Sequence, residues 1–350
     1  MEHIKRIYIE NYKSIHFLEL DCNRINLFIG EPNSGKSNIL EALNLLYLPS
    51  LLNDNAQYLR YGKSGININE FFRVDKVDNF FRLGDLQQDI NIECKSENSI
   101  QSIRLKFNTV NDENSFELIN QSSNTTKITN DFEVLAGSTL GATSVKPFRY
   151  KEEIDWHDSG NFIDALMPPF GNNLYSVIKS NQELQSTIQE LTSDYGLEFN
   201  IDANNSQMSI QIRINKGLVY SLPYKSLADT FKRFLFHLAA IKYSRAQSIT
   251  LDEPDANSFP RYISLLGDEM IENKTKQYFV TTHNPYLANN LLENTEPDDL
   301  AVFLCYYDKH SFSSKVKRLT LDEIKDSVGF GVDLFFNLNG FIDDQLSYSS

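Results

Sequence analysis

One short loop carries the residue types that bind phosphate groups. The segment GEPNSGKS, Gly30 to Ser37, fits the pattern GxxxxGK[ST]. In that pattern, backbone N–H groups at the start of a helix converge on phosphates, and glycine lets the backbone approach the ligand closely. Lys36 would reach the β- and γ-phosphates of a nucleotide, and the Ser37 hydroxyl would hold a bridging Mg²⁺. The loop therefore predicts a nucleotide site.

A second group of reactive side chains lies far downstream, in QSITLDEPDA, Gln247 to Ala256. Ile249 and Leu251 are typical of a buried parallel strand, which would place Asp252 at its carboxyl end, where open α/β sheets bind ligands. Asp252 could then orient the metal through water, and Glu253 could act as general base for an attacking water. A surface turn would also explain this segment alone, but the upstream loop favours the catalytic interpretation.

A third candidate is His283, which follows the strand-like segment QYFVTT, Gln277 to Thr282. Pro285 biases the residue before it away from helix, so a strand should end here. A histidine at the carboxyl end of a strand can reach a γ-phosphate. An ordinary loop histidine is the alternative, and the two other motifs favour the phosphate role.

The flanks of the loop predict the elements that would hold it. Apolar residues before it form a short run typical of a buried strand, and those after it recur on one helical face. These residues are Ile25, Leu27, Phe28 and Ile29, followed by Ile39, Leu40, Leu43 and Leu46. A strand, a glycine-containing loop and a helix are thus predicted in that order.

The composition is that of an ordinary globular protein, with 350 residues, 41% of them hydrophobic and 23% charged. Such a chain can bury one large core or two moderate ones. There is no apolar leader and no apolar run of about 20 residues, so we expect a cytoplasmic protein without a membrane partner. The widely spaced Cys22, Cys94 and Cys305 predict buried thiols and neither disulfides nor a zinc site.

The net charge of −14 argues against a surface that binds nucleic acid over its whole extent, because such binding depends on Lys and Arg that neutralise phosphates. Any contact with nucleic acid should be local. The basic candidates are Lys146, Arg149 and Lys151 in KPFRYK, and Lys315, Lys317 and Arg318 in KVKR. Each group is more simply interpreted as solvated surface.

Together these motifs resemble the ABC-type ATPase heads of the SMC, RecF and OLD group, which clamp ATP between two protomers. The segment Ile4 to Asp21 is similar to the opening hairpin of that group, with Asn11 to Ser14 as its turn. The resemblance implies a Walker A segment, a Walker B pair at Asp252 and Glu253, a D-loop beginning at Asp255 and a switch histidine at His283. The residues implied to contact ATP are Lys13, Gly30, Glu31, Pro32, Asn33, Ser34, Gly35, Lys36, Ser37 and Asn38.

The implied fold is an α/β P-loop NTPase head with a mixed or parallel sheet flanked by helices, plus an inserted α+β lobe. Residues 1–50 and 226–350 would form the head, and residues 51–225 the lobe. In the lobe, residues 90–145 alternate like antiparallel strands, Leu174 to Leu191 suggest a helix or helical hairpin, and Met208 to Ile214 a strand. The lobe lacks heptads and a zinc-hook cysteine pair, which predicts a compact head without a coiled-coil arm.

The chain departs from the group at the signature motif that contacts the partner's γ-phosphate. In YKSLADTFKR, Tyr224 to Arg233, Ala228 and Thr230 stand where Ser and Gly are expected. A helix should follow, with Phe231, Phe234, Leu235 and Leu238 on one face. The candidate trans residues are Ser226, Asp229, Thr230 and Arg233. Gln87 and Gln88 are candidates for the Q-loop glutamine or are solvated turn residues.

The resemblance implies ATP and Mg²⁺ as cofactors and a homo-oligomer of at least two heads. About forty residues follow the predicted strand Leu300 to Tyr307, too few for a TOPRIM nuclease, so a nuclease or toxin effector would be a separate protein. The chain resembles stand-alone ATPases of bacterial anti-phage systems such as Septu, PARIS and certain retrons. The alternatives are a RecF-like DNA-repair clamp, recognised by steeply salt-dependent DNA affinity, and an ATP-binding scaffold that scarcely hydrolyses ATP.

Overall fold

The computed structural model describes residues 2–60, 66–110, 113–137, 143–152 and 165–324. The chain divides into two compact units. The first contains residues 1–147, 246–253 and 274–350, and the second contains residues 148–245 and 254–273. These boundaries differ from the expected ones at residues 50 and 225, because strands of the expected lobe pair with the N-terminal hairpin.

The described strands, in chain order, are β1 (Arg6–Tyr12), β2 (Ile15–Asp21), β3 (Ile25–Gly30), β4 (Ile90–Lys95), β5 (Ile100–Val110), β6 (Glu113–Asn120), β7 (Thr125–Ile128), β8 (Val134–Gly137), β9 (Val145–Phe148), β10 (Glu198–Asp202), β11 (Gln207–Asn215), β12 (Leu218–Pro223), β13 (Ser248–Asp252), β14 (Gln277–Thr281), β15 (Leu300–Asp308) and β16 (Ser313–Arg318). The described α-helices are α1 (Lys36–Leu45), α2 (Leu48–Arg60), α3 (Ile68–Phe72), α4 (Leu174–Ser180), α5 (Gln182–Ser193), α6 (Asp229–Tyr243), α7 (Pro260–Glu272) and α8 (Pro285–Asn294).

The first unit contains a six-stranded sheet in the order β16-β15-β3-β14-β13-β9. Strands β13 and β14, β14 and β3, and β15 and β3 pair in parallel, while β15 and β16 pair antiparallel. Strands β3 and β14 are buried along their whole length. Because these parallel strands are in register, the carboxyl ends of β3, β13 and β14 meet at one edge. The mixed α/β architecture predicted from the sequence is confirmed.

The first unit also contains a seven-stranded antiparallel sheet in the order β2-β1-β4-β5-β6-β7-β8. Strand β1 of the N-terminal hairpin pairs with β4, and Ile9 lies opposite Ile92. The antiparallel strands predicted between residues 90 and 145 are present. They extend the sheet of the hairpin, however, and do not form part of a separate lobe. Backbone hydrogen bonds between distant strands decide this, since alternation predicts a strand but not its neighbour.

The second unit combines helices α4 to α7 with a three-stranded antiparallel sheet in the order β10-β11-β12. The predicted helical hairpin corresponds to α4 and α5, and the predicted strand to β11. Helix α6 follows the signature-like segment as predicted, and it buries Phe231, Phe234, Leu235 and Leu238. The apolar spacing at i, i+3, i+4 and i+7 accounts for this buried face.

Two further expectations concern the thiols and the membrane. Cys22, Cys94 and Cys305 are buried, unpaired thiols, as predicted, and burial raises the pKa of Cys22 and of Cys305 to about 12. Within the described ranges, no helix has the length and hydropathy needed to span a bilayer.

Candidate functional site

The loop between β3 and α1 needs glycine at two positions. Gly30 has φ 150° and Gly35 has φ 96°, backbone conformations that favour glycine. A Cβ added to Gly30 would lie 2.2 Å from the carbonyl oxygen of Cys305, and one added to Gly35 would lie 2.0 Å from Ser314 Oγ. Strands β15 and β16 therefore lie in close contact with the loop. This close approach explains both glycines of the motif by sterics.

Lys36 directs its ammonium into the loop. Nζ donates to the carbonyl oxygens of Gly30 at 2.9 Å and Glu31 at 2.8 Å, and to Ser34 Oγ at 3.3 Å. The side chain is buried, and burial lowers the pKa of Lys36. Anionic phosphate oxygens are stronger acceptors for an ammonium than peptide carbonyls. The loop thus holds a cation where a phosphate group would bind to it.

Asp252 lies at the carboxyl end of β13, beside the first turn of α1. Its Oδ1 accepts a hydrogen bond from Ser37 Oγ at 2.9 Å and another from Thr281 Oγ1 at 2.7 Å. The structure therefore brings together Ser37 and Asp252, the two residues predicted to hold Mg²⁺. Thr281, which ends β14, was not predicted from the sequence; its position after a run of buried strand residues was the available signal.

The second oxygen of Asp252 accepts a charged donor. Arg73 Nη2 lies 2.5 Å from Asp252 Oδ2, and Arg73 Nε lies 3.7 Å from Glu41 Oε1. Neither Arg73 nor Glu41 was predicted from the sequence. Neither belongs to a motif, and Arg73 follows a five-residue helix, so no periodic signal could have located it.

Lys13 lies in the turn between β1 and β2 and contacts two other elements. Its Nζ donates to Glu41 Oε2 of α1 at 2.5 Å and to the carbonyl oxygen of Phe72 in α3 at 2.7 Å. Burial raises the pKa of Glu41, against the opposing effect of Lys13 and Arg73. Asn38 donates to Ser14 Oγ at 2.7 Å, in the same turn. The ammonium of Lys13 and the amide of Asn38 thus tie the hairpin to α1, and their contact with ATP stays a prediction.

Glu253 and His283 form a pair beside Asp252. His283 Nε2 lies 3.0 Å from Glu253 Oε1, and both side chains are partly exposed. Glu253 has φ 50°, and its N–H bonds to Thr281. Burial and the cation of Lys36 lower the pKa of His283, opposed by the carboxylates of Glu253 and Asp252. A carboxylate held by a neutral imidazole can accept a proton from water.

The signature-like segment belongs to the second unit, where Asp229 and Arg233 are engaged with each other. Asp229 Oδ2 accepts from Arg233 Nε at 2.6 Å, and its Oδ1 accepts from the Tyr150 hydroxyl at 2.7 Å. The Arg233 guanidinium also lies 4.6 Å from the centroid of the Tyr150 ring. Tyr150 was not predicted from the sequence, and it contacts two of the four candidate trans residues.

The other signature candidates have different surroundings. Ser226 is exposed, in a short 3-10 turn before α6. Thr230 lines an apolar cavity of about 570 Å³, together with Leu191, Phe231 and Tyr262. Gln87 and Gln88, the Q-loop candidates, are exposed in a turn in which the Gln87 N–H bonds to Asp85. The other predicted loop residues, Glu31, Pro32 and Asn33, are exposed in the loop between β3 and α1.

Comparison with known proteins identifies the family. Residues 25–289 match the family described as "AAA domain, putative AbiEii toxin, Type IV TA system". The chain belongs to this AAA family. Together with the fold of solved SMC heads, this match confirms the predicted resemblance to ABC-type ATPases of the SMC and RecF group. Among curated proteins, no sequence matches the chain significantly.

Solved structures show the same fold at low sequence identity. An SMC head bound to the C-winged helix domain of ScpA has a TM-score of 0.51 and 14% identity, covering 92% of this chain and 99% of that one. An SMC head with an extended coiled coil, bound to the C-terminal domain of ScpA derived from Pyrococcus furiosus, has a TM-score of 0.55 and 10% identity, with coverage of 94% and 99%. The likeness establishes the ATPase-head fold and nothing about individual residues.

Proposed function

We propose that this AAA-family chain binds ATP with Mg²⁺ at the edge where β3, β13 and β14 end, and hydrolyses it. The observation that carries the proposal is the position of Asp252. Its carboxylate bonds to Ser37 at the end of the phosphate-type loop, and the next residue, Glu253, pairs with His283. Loop, metal ligand and base thus converge from separate parts of the chain.

The residues fit a magnesium ion. A serine hydroxyl and a carboxylate, 2.9 Å apart, are the hard oxygen ligands that Mg²⁺ prefers when it is bound with nucleotide phosphates. When bound, the metal would neutralise charge on the β- and γ-phosphates. Ser37 would hold it directly, and Asp252 would orient it.

Side chains of the protein would bind the triphosphate and accept the proton of the attacking water. Lys36 exchanges the loop carbonyls for phosphate oxygens and so binds the triphosphate. Glu253 accepts a proton from the attacking water, and His283 orients the Glu253 carboxylate through its imidazole. This arrangement supports an ATPase better than a scaffold that only binds ATP, because a binding site alone does not need a positioned base.

We further propose that two heads pair through ATP, with the Ser226 to Arg233 segment of one head facing the nucleotide of the other. The paired state would control a separate effector, a nuclease or toxin of prokaryotic anti-phage defence. The family description names a putative toxin and a type IV toxin–antitoxin system, which supports a place in such a system, and the separate effector rests on the resemblance alone. The two SMC heads, each bound to a domain of ScpA, support the general idea of a protein partner.

The two basic segments favour this function over a DNA clamp. Lys146 lies over the ring of Tyr47 at 4.6 Å from its centroid, and burial lowers its pKa. Lys317 Nζ pairs with Glu323 Oε1 at 2.6 Å, and Arg318 donates to the carbonyl oxygen of Asp21 and the side chain of Asn23. Cations that already bond to protein groups are less available to neutralise phosphates.

Lys36→Ala tests nucleotide binding. The change removes the loop's only ammonium, so we expect affinity for a fluorescent ATP analogue to fall by at least a hundredfold in a fluorescence titration. Lys216→Ala, which removes an exposed lysine in the turn between β11 and β12, serves as control and should bind like the wild type. Equal affinity of the Lys36 variant and the wild type would contradict the proposal.

A further inference from the structure

Arg73 occupies an unusual place for a side chain outside every motif. It follows α3 in a left-handed conformation, φ 52° and ψ 48°, and its N–H bonds to the carbonyl oxygens of Asn69 and Glu70. From this cap its guanidinium reaches Asp252 Oδ2 at 2.5 Å. A non-glycine residue held at positive φ incurs a conformational cost, so the surrounding structure must hold it there.

Both oxygens of the Asp252 carboxylate accept hydrogen bonds. Ser37 and Thr281 donate to Oδ1, and Arg73 donates to Oδ2. A metal ion that used this carboxylate would meet the arginine cation at the same group. Two cations that share one carboxylate repel each other, so Arg73 and a divalent ion compete for Asp252.

The neighbouring Glu41 provides a second place for the guanidinium. Arg73 Nε is already 3.7 Å from Glu41 Oε1, and the arginine side chain is 47% exposed, so its end is not locked by packing. Lys13 holds the other oxygen of Glu41 and the carbonyl of Phe72, the residue before Arg73. A small movement of the guanidinium would therefore exchange Asp252 for Glu41 while α3 keeps its position.

We propose that Arg73 is a stand-in cation for the magnesium site. In the metal-free protein it neutralises Asp252, and on arrival of Mg²⁺ with nucleotide it moves to Glu41. It thereby sets the Mg²⁺ concentration at which the site fills. The inference rests on the proposed nucleotide site, and it assigns to Arg73 a positioning role and no contact with the reacting atoms.

The test is the Mg²⁺ dependence of nucleotide binding in Arg73→Gln, measured by titrating MgCl₂ at a fixed concentration of a fluorescent N-methylanthraniloyl ADP. Loss of the competing cation should lower the Mg²⁺ midpoint about tenfold, the effect of one partly exposed charge-assisted hydrogen bond. Arg73→Lys keeps the positive charge and should keep a midpoint near that of the wild type. Arg82→Gln is the matched control, because the Arg82 guanidinium donates to the backbone carbonyls of Ser311 and Phe312.

Thermal unfolding with MgCl₂ alone provides a second readout that needs no nucleotide. Arg73→Gln should gain a Mg²⁺-dependent rise in melting temperature that the wild type and Arg82→Gln lack. When Arg73→Gln is combined with Asp252→Asn, the double variant should show the same Mg²⁺-dependent change in melting temperature as Asp252→Asn alone. The reason is that the arginine has already lost its carboxylate partner in Asp252→Asn.

The outcomes separate this inference from the proposed function. A Mg²⁺ midpoint in Arg73→Gln that is unchanged or higher, or a lower midpoint in Arg73→Lys equal to that of the glutamine variant, would overturn charge competition. If the wild type bound no fluorescent ADP at any Mg²⁺ concentration, the proposed nucleotide site would be wrong. The melting experiment with MgCl₂ alone would still decide the role of Arg73 in that case.

Discussion

At the scale of single residues, the site depends on which groups hold a carboxylate in place. Glu253 has a left-handed backbone, two hydrogen bonds from its N–H to Thr281, and an imidazole on its side chain. Each contact restricts the direction of the carboxylate. A positioned base of this kind raises the rate of water attack without changing how tightly the substrate binds.

Glu253→Gln should therefore leave nucleotide affinity nearly unchanged and slow hydrolysis about 10² to 10⁴-fold, since an amide keeps the size of the side chain but cannot accept the proton. Phosphate release by the purified variant measures the rate. Glu293→Gln, a surface change on α8, should hydrolyse ATP like the wild type. Hydrolysis by Glu253→Gln at the wild-type rate would remove Glu253 from the role of base.

His237 on α6 makes stability depend on pH. The side chain of His237 is buried, and this burial lowers its pKa from 6.5 to about 3. The nearby cation of Arg233 contributes a smaller part of the decrease. The pKa is thus depressed on folding, so the unfolded chain binds the proton more readily below pH 6.5. Its contribution to stability is fully present above pH 6.5 and is lost as pH falls from 6.5 toward 3, at up to about 1.4 kcal/mol per pH unit.

Urea unfolding at pH 7 and pH 5 measures this effect. The glutamine in His237→Gln is neutral at both pH values. The free energy of unfolding of the wild type should therefore fall between pH 7 and pH 5 by about 2 kcal/mol more than that of His237→Gln. His310→Gln, on an exposed turn, is the control and should behave like the wild type. An equal change in the wild type and in His237→Gln would show that another group causes the dependence.

At the scale of secondary structure elements, the nucleotide loop is shaped by its neighbours as much as by its own sequence. The turn before α1 passes so close to β16 that a methyl group at Gly35 would overlap Ser314. The loop and the β15–β16 hairpin are distant in sequence. Their close approach leaves the loop little room to shift, and a phosphate site needs a loop whose N–H groups stay aligned.

Gly35→Ala should accordingly destabilise the protein by about 3 kcal/mol, the sum of an unfavourable φ and of overpacking. Gly84→Ala is the matched control: Gly84 also has a positive φ, 73°, but nothing lies within 4 Å of its added Cβ. We expect only about 1 kcal/mol there. Urea unfolding of both variants gives the difference, and equal losses would show that the loop can move away from Ser314.

At the scale of the whole molecule, hydrolysis and assembly should be linked. If ATP bridges two heads, blocking hydrolysis by Glu253→Gln should prolong the paired state. Light scattering of the purified variant should then show a species of about twice the mass with ATP and Mg²⁺ that is absent without nucleotide. Adding Arg233→Ala to the variant should reduce the pairing, because the change removes a candidate trans residue.

A Glu253→Gln variant that binds ATP but has the same mass with and without it would contradict ATP-driven pairing.

The strand pairing also indicates which segment can be exchanged with that of a relative to test partner specificity. Because β4 to β8 complete the sheet that begins at the N-terminal hairpin, exchanging residues 51–225 would cut one sheet. Residues 148–245 are the better segment to exchange with a relative.

The sequence by itself determined the parts of the protein whose signal is local. Glycines at fixed spacing, buried runs that end in Asp252 and His283, and the apolar face of α6 each predict an element and its end, because backbone sterics and hydrophobic periodicity act over a few residues. The candidate residues of the loop followed from these signals directly, and the fold class followed from the family resemblance that the motifs carry.

Only the tertiary structure decided which distant groups meet. It joined β4 to β1, placed Thr281 and Arg73 on Asp252, and put Tyr150 on Asp229. Strand order and charge pairing depend on long-range packing and hydrogen bonding, and neither leaves a periodic mark in the chain. For that reason the sequence does not predict the 2.5 Å contact of Arg73, which no motif contains, with the carboxylate of Asp252.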